Sequence, residues 1–396
     1  MDVKQVLKEL IAIPEQQFPV ASLFLDASRA NEHQREALRI FVAEEARRAI
    51  KASKDPEAEH LPQTLQPIED YVAGLLRHRH DDAFTGVAIY SCAPIGLFRV
   101  IATRMPFRPM ELTLDRRPCV EPFVRTCAST PPVLLAAVST EETRLYELSC
   151  GVVDIEARFE RAFPGRHSRG GWSGWSQRNF SAHLGAIRDR NLRAAAEPLT
   201  KVSDALPGAA IVLAGQSFIL KQYESHLPER VLARVVTRVA FPQGLTNGEL
   251  RDRLLSDARP SLERALGERH RSLRDEVLAQ SAARGLGVTG IPAVLLALET
   301  GQVQSLLVDP ALHAPGVRCT VCDALASDGP SCRFCGGALR AVKFPEEIIR
   351  RAFYADAEIV MLPRDGGLPD GAGVAARLRH RGTAGAEPAQ QQDVPA

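Results

Sequence analysis

Four cysteines near the C-terminal end constrain this chain more than any other feature. Cys319-x-x-Cys322, nine intervening residues and Cys332-x-x-Cys335 supply two thiolate pairs at the spacing that tetrahedral Zn²⁺ requires. Such a metal pins two backbone turns to one point, and Gly336 and Gly337 permit the tight turn that follows. Four sulfur ligands leave no open position for water, so the expected role is a structural zinc, with reversible disulfide chemistry as the alternative use of the same thiols. The other cysteines, Cys92, Cys119, Cys127 and Cys150, are scattered singly. Disulfide-stapled secreted domains are small and cysteine-dense, and a chain of 396 residues with eight cysteines is neither. A reducing, cytoplasmic setting is expected.

At roughly 100–200 residues per domain, the length implies two or three domains. Hydrophobic residues at 45% and charged residues at 24% give a globular balance with enough apolar surface for real cores. No apolar run reaches the roughly 18 residues of a membrane span, and Met1-Asp2-Val3-Lys4 opens no signal-peptide core, so neither membrane nor secretory segments are expected. With 49 Lys and Arg against 48 Asp and Glu, any nucleic-acid affinity has to come from a local patch.

Periodicity divides the chain further. An amphipathic helix over Val3 to Ile11, a strand at Val20 to Leu25, helices over 33–50 and 66–77, and strands at Gly86 to Tyr90 and Leu97 to Ala102 form an N-terminal α+β domain, residues 1–131. A middle α/β domain follows over 132–260. Its apolar runs Val133 to Val138 and Ala209 to Leu213 have buried-strand length, and a helix is expected from Asn179 to Glu197, stopping before Pro198. Pro260 is expected to break or restart the next helix. Residues 261–381 read as a helical connector and a zinc-bearing C-terminal α/β domain, and 382–396 as a disordered tail.

The most unusual segment is 161–193, where Arg161, Arg166, Arg169, Arg178, Arg188, Arg190 and Arg193 face a single acid, Asp189. Both tryptophans of the chain, Trp172 and Trp175, sit at its centre, beside Gly170, Gly171 and Gly174. That many glycines so close together argue for a loop rather than a helix. Arginines can contact phosphate, the rings can stack on bases, and glycine lets backbone approach RNA closely, which makes Arg166, Arg169, Trp172, Trp175 and Arg178 candidate RNA-binding residues. The alternative is a solvated loop whose tryptophans fold back onto the core.

Taken together, these residues resemble the archaeal and eukaryotic class-1 peptide-chain release factors and their relative Pelota, and more closely their bacterial homologues of family ten. The resemblance runs over about residues 20–381. It is carried by Val20 to Asp26, Gly86 to Tyr90, Leu134 to Tyr146, Ala293 to Gly301 with Val303 to Val308, the paired Cys-x-x-Cys knuckles, and Gly373 to Leu378. It implies three α/β and α+β domains in release-factor order. The middle one would be ribonuclease-H-like, and the last would resemble the kink-turn-binding ribosomal-protein fold with a zinc insertion.

The resemblance further implies a Gly-Gly-Gln loop that promotes peptidyl-tRNA hydrolysis on the ribosome. Here Gly170-Gly171 is followed by Trp172 where the family has glutamine, and the nearest glutamine is Gln177. Gly170, Gly171 and Gln177 are therefore the expected catalytic set. The stop-codon motif Asn-Ile-Lys-Ser is replaced by Ile50-Lys51-Ala52-Ser53-Lys54, which points to stop-codon-independent rescue. Expected partners are the ribosome, peptidyl-tRNA and a translational GTPase, with the protein acting as a monomer. The alternatives are a non-catalytic ribosome-binding hibernation or A-site occupancy factor, and a tRNA 3′-end nuclease.

Overall fold

The structure is a computed structural model that describes residues 3–28, 32–52, 59–77, 84–128, 132–149, 152–160, 174–206, 208–241, 247–312, 314–363 and 367–381. It is mixed α/β with several sheets, and the chain divides into two compact units between Gly267 and Glu268.

The first unit opens with α1 (Val3–Ala12), β1 (Val20–Asp26), α2 (Glu32–Ala52) and α3 (Leu61–Arg77). It continues through β2 (Gly86–Cys92), β3 (Leu97–Thr103), β4 (Glu111–Asp115) and α4 (Glu121–Ala128). The strands form an antiparallel sheet in the order β3-β2-β1-β4. Because β1 is apolar on both faces, it is covered twice. Ala21, Leu23 and Leu25 pack with Leu38 and Val42 of α2 and Ile68 and Val72 of α3. On the opposite side Phe24 meets Tyr90 edge-on at 5.9 Å and Phe107 at 5.4 Å, and Phe107 in turn contacts Phe123 of α4. Gly96 closes the β2–β3 hairpin at φ +64°, as the Pro94-Ile95-Gly96 turn suggests. Sequence pattern missed β4 and α4, which are only five and eight residues long.

A second sheet in this unit is built from β5 (Val133–Val138), β6 (Glu142–Ser149), β7 (Val152–Glu160), β8 (Ala210–Gly215) and β9 (Val235–Val239). Its order is β7-β6-β5-β8-β9, with β5, β6 and β7 antiparallel in sequence and β8 and β9 parallel to β5. Between strands run α5 (Gly174–Ala205), α6 (Ser217–Glu224) and the short α7 (Glu229–Leu232), and α8 (Asn247–Ala282) follows. Alternation in β5 decides the layers. Leu134, Ala136 and Val138 face Leu192, Ala196 and Leu199 of α5 together with Ile219 and Tyr223 of α6. Val133, Leu135 and Ala137 face a stripe on α8 at four-residue spacing: Leu250, Leu254, Ala258 and Leu262.

Three expectations fail here. Helix α5 runs through Pro198 to Ala205, α8 runs through Pro260, and α5 begins at Gly174 inside the glycine-rich stretch expected to be loop. An internal proline costs about 3 kcal/mol and a glycine about 1 kcal/mol. Leu199 and Val202 beyond Pro198, and Leu262 beyond Pro260, pack into the two cores, and each buried leucine returns about 1.5–3 kcal/mol. Gly174 occupies the first turn, where backbone amides have no intrahelical partner in any case.

The end of α5 is fastened by Arg234, just before β9. Its guanidinium donates to the Ser203 carbonyl and hydroxyl, both at 2.7 Å, to the Ala209 carbonyl at 2.6 Å, and to the Leu206 carbonyl. A cation on the last carbonyls of a helix also meets the negative end of its dipole. Arg234→Met is expected to destabilise the first unit by about 3 kcal/mol, since it strands partly buried acceptors of a charged donor. Lysine there should recover less than half, because a single ammonium cannot span the fork. Urea unfolding followed by circular dichroism measures both, and a loss below about 0.5 kcal/mol for methionine would rule out the capping role.

The second unit contains the later turns of α8, then β10 (Gly287–Thr289), α9 (Ile291–Glu299), β11 (Val303–Val308) and β12 (Pro315–Cys319). It continues with β13 (Leu325–Ala326), β14 (Leu339–Lys343), α10 (Phe344–Tyr354), β15 (Glu358–Met361) and β16 (Val374–Leu378). One sheet has the order β10-β16-β11-β15, with β15 parallel to β11 and β16 antiparallel to both its neighbours. Leu307, Val360 and Ala375 of this sheet bury Leu273 and Val277 of α8. A smaller antiparallel sheet, β13-β12-β14, carries the cysteines.

His270 on α8 is buried within this unit at 7% exposure. Burial pushes its imidazole below the ordinary value of 6.5, assisted by Arg269 and opposed by Glu358 and a backbone bond at Met361. The unfolded chain therefore binds the proton more readily, so stability is complete above pH 6.5 and declines as pH falls toward the depressed folded value. Melting curves between pH 7.5 and 5 should show a steeper acid loss for the native protein than for His270→Gln. Parallel curves would contradict this assignment.

Among the described residues, no helix is long and apolar enough to cross a membrane.

Candidate metal centre and basic segment

The structure brings Cys319, Cys322, Cys332 and Cys335 together, with all four Sγ atoms within 4.8 Å of one another. Individual separations are 3.4 Å for Cys319–Cys335, 3.5 Å for Cys322–Cys332 and 3.4 Å for Cys335–Cys322. A disulfide needs about 2.05 Å, so no pair is bonded. Four sulfurs about 2.3 Å from one zinc stand about 3.8 Å apart, and these three separations lie within a few tenths of an ångström of that.

The two knuckles repeat one local design. In the first, the amides of Val321 and Cys322 point at Cys319 Sγ at 3.4 and 3.5 Å. These two bonds, Cys322 first, hold the Cys319 thiol down to about 6. In the second knuckle, the amides of Cys335 and Phe334 lower Cys332 in the same way. The amide of Ala324 pulls Cys322 down, but sulfur contacts with Cys335 and Cys332 outweigh it and push that thiol up to about 12. A cation at the centre would remove the sulfur–sulfur conflict while keeping the amide bonds, which is how a tetrathiolate site is supported. Each knuckle ends on a left-handed residue, Asp323 at φ +60° and Gly336 at φ +69°. The turn anticipated from the glycines after Cys335 is therefore present at Gly336. Gly337 also has to lack a side chain, since a Cβ would stand 2.8 Å from Val321 Cγ2 and 3.1 Å from Cys319 Sγ.

What anchors the knuckles was not legible in the sequence. Arg318, 7% exposed, pairs with Asp323 at 2.8 Å and approaches Glu347 of α10 at 3.7 Å. Arg351 of α10 donates to the Asp323 carbonyl and lies 3.6 Å from its carboxylate. Beside them Glu346 and Arg350 form a buried pair at 2.9 Å. The only available signal was the i, i+4 spacing of Glu346 and Arg350.

Of the expected loop residues, Arg166, Arg169, Gly170, Gly171 and Trp172 lie outside the described residues. Trp175, Gln177 and Arg178 fall in the opening turns of α5, where the backbone is helical. Further along that helix, the lone acid of the basic segment is engaged. Asp189 accepts from Gln222 at 3.0 Å and contacts His226 Nε2 at 2.9 Å, and these two bonds hold its carboxyl below the usual range. Arg188 donates to Gln222 at 2.8 Å and lies 5.7 Å over the exposed ring of Phe218. This cluster joins α5 to α6 and was missed by sequence reasoning, because Asp189 and His226 are far apart in the chain. A cleft of about 340 Å³ opens where β8 and β9 end, between Ser217, Lys221 and Arg238, with Arg238 already paired to Glu224 at 2.6 Å.

Residues 118–259 match the family model described as bacterial archaeo-eukaryotic release factor family 10. The match contains the whole five-stranded sheet and the basic segment. Among solved structures, the chain is similar to the archaeal translation termination factor aRF1 at 14% identity, over 95% of this chain and 96% of that one, with a TM-score of 0.27. It is also similar to archaeal Pelota in a model of its ribosome-bound form with ABCE1, at 14% identity over 96% and 95% of the two chains, TM-score 0.39. Dom34 of S. cerevisiae, a translation termination-like factor interacting with Hbs1, aligns at 10% identity over 74% and 79%, TM-score 0.33. No curated protein sequence matches the chain.

Proposed function

We propose that this chain, which through residues 118–259 belongs to the bacterial archaeo-eukaryotic release factors, binds the ribosome and hydrolyses peptidyl-tRNA independently of a stop codon. The family match carries the reading, since it spans the segment holding the glycine pair, both tryptophans and the arginine cluster. The sheet order β7-β6-β5-β8-β9, three antiparallel strands followed by two parallel ones, supports a ribonuclease-H-like middle domain. The three-domain division at 131 and 260, and a kink-turn-binding-like fold for the C-terminal domain, belong to the same proposal. So does a cytoplasmic setting.

In this reading Arg166, Arg169 and Arg178 contact RNA phosphates, Trp172 and Trp175 stack on bases, and Gly170 and Gly171 let the backbone approach the tRNA end. Gln177 positions one water at the ester carbonyl. Water adds to that carbonyl, the bond to the tRNA 3′ oxygen breaks, and that oxygen leaves with a proton. The four cysteines hold Zn²⁺, which with four sulfur ligands organises the fold and takes no part in the reaction. A translational GTPase is the expected delivery partner.

One observation favours a second reading, a non-catalytic factor occupying the tRNA site. Gln177 stands in helical backbone at the start of α5, and Trp172 follows the glycine pair in its place. Single-turnover release of labelled peptide from purified stalled ribosomes, with tRNA length checked on a gel, separates hydrolase, binder and nuclease. Release no faster than buffer would leave the binder, and shortened tRNA the nuclease.

A further inference from the structure

The zinc knuckles expose side chains that holding a metal does not require. Phe334 is 59% exposed and Val321 74%. They occupy equivalent positions, each immediately before the second cysteine of its knuckle, and both contribute backbone amides to the sulfur cluster while their side chains face solvent. The guanidinium carbon of Arg333 lies 4.8 Å over the Phe334 ring centroid, and Arg333 forms no ion pair among the described residues. Outside the Arg318–Asp323 pair, residues 315–343 carry Arg333, Arg340 and Lys343 against Asp328 alone.

The backbone that carries the pair is fastened at both ends. Cys332 and Cys335 flank it, Cys332 donates to the Gly337 carbonyl at 2.9 Å, and Gly336 donates to the Cys332 carbonyl at 2.8 Å. Backbone already fixed in place has little freedom left to lose on binding.

We propose that the tip of the second knuckle, Arg333 and Phe334, is a stacking platform for an unpaired base of single-stranded RNA. The Phe334 ring takes the face of the base, and Arg333 takes the adjoining phosphate while extending the stack. An aromatic face with a cation beside it suits every base, because each has a π-face and each nucleotide a negative charge. A protein-docking surface would instead need a broad apolar area with charge kept to its rim. Here a single ring is covered on one side by an arginine.

This surface lies in the second unit and does not depend on peptide release by the middle segment, so the two readings fail separately. The test uses the full-length, zinc-loaded protein and a short fluorescein-labelled oligouridylate, with anisotropy recorded across a salt series and zinc content checked for each variant. Phe334→Ala should weaken single-strand binding about tenfold. Phe334→Leu, which keeps apolar volume but lacks the ring, should weaken it similarly, and Phe334→Trp should retain native affinity. Arg333→Gln should reduce the slope of log affinity against log salt by about one contact's worth. On a duplex of equal length the Phe334 variants should match the native protein, since paired bases offer no free face. Native affinity for the single strand in zinc-loaded Phe334→Ala and Phe334→Leu would overturn the proposal, including the case in which a protein covers this tip.

Discussion

Replacing Cys322 and Cys335 together with serine should abolish zinc binding and melt the β12-β13-β14 sheet, while the four-stranded sheet of the same unit survives. The asymmetry follows from what holds each part. Leu307, Val360 and Ala375 have a core of their own against α8. The smaller sheet buries little by comparison: β13 is two residues long, and β14 has no fully buried residue. Structural zinc contributes on the order of 10 kcal/mol or more to folding small tetrathiolate modules. The Arg318–Asp323 and Glu347 contacts cannot replace it, because a buried charge network depends on exact geometry and is costly when one member moves. Hydrogen exchange gives the measurement. Amides of residues 315–343 should lose protection in the double mutant, and in native protein treated with a chelator, while those of β11 and β16 keep it. Less than half an equivalent of metal in the purified native protein, or unchanged protection after chelation, would remove the structural role from these cysteines.

The cysteine cluster was legible because its information is local. Four cysteines at two fixed spacings can be brought to one point whatever surrounds them, and the left-handed turn at Gly336 follows from the residue type. Buried strands were legible for a similar reason: the apolar run Val133 to Val138 can only be covered on both faces. Helix ends were not. Pro198 and Pro260 each carry a local penalty, and residues elsewhere in the chain decide whether packing exceeds it. The contacts that fix the functional regions were invisible for the same reason. Arg234 reaches back to Ser203, Asp189 forward to His226, and Arg351 back to Asp323. Each pair joins segments that sequence pattern places independently, so only the folded topology reveals them.

The second large effect concerns the glycine pair. Gly170→Ala combined with Gly171→Ala should lower single-turnover peptide release at least about a hundredfold, the scale of loss when reacting groups are misplaced by about an ångström. Gln177→Ala should lower it by only about tenfold, with ribosome affinity nearly unchanged. The ranking comes from chemistry. A neutral amide cannot accept a proton near pH 7, so Gln177 can only donate and accept hydrogen bonds that orient the attacking water. The rest of the gain has to come from backbone approach and exclusion of bulk water, which added β-carbons obstruct directly. Gln177 also begins from helical backbone in α5. The positive end of a helix is favourable beside a phosphate, and the arginines on either side add to it. Trp172→Gln distinguishes the competing register: faster release in this variant would show that the position after the glycine pair is the one that addresses the ester. If the native protein releases peptide no faster than buffer, and neither Gln177→Ala nor the double alanine variant changes that rate, the loop is a binding element and the chain occupies the tRNA site without chemistry.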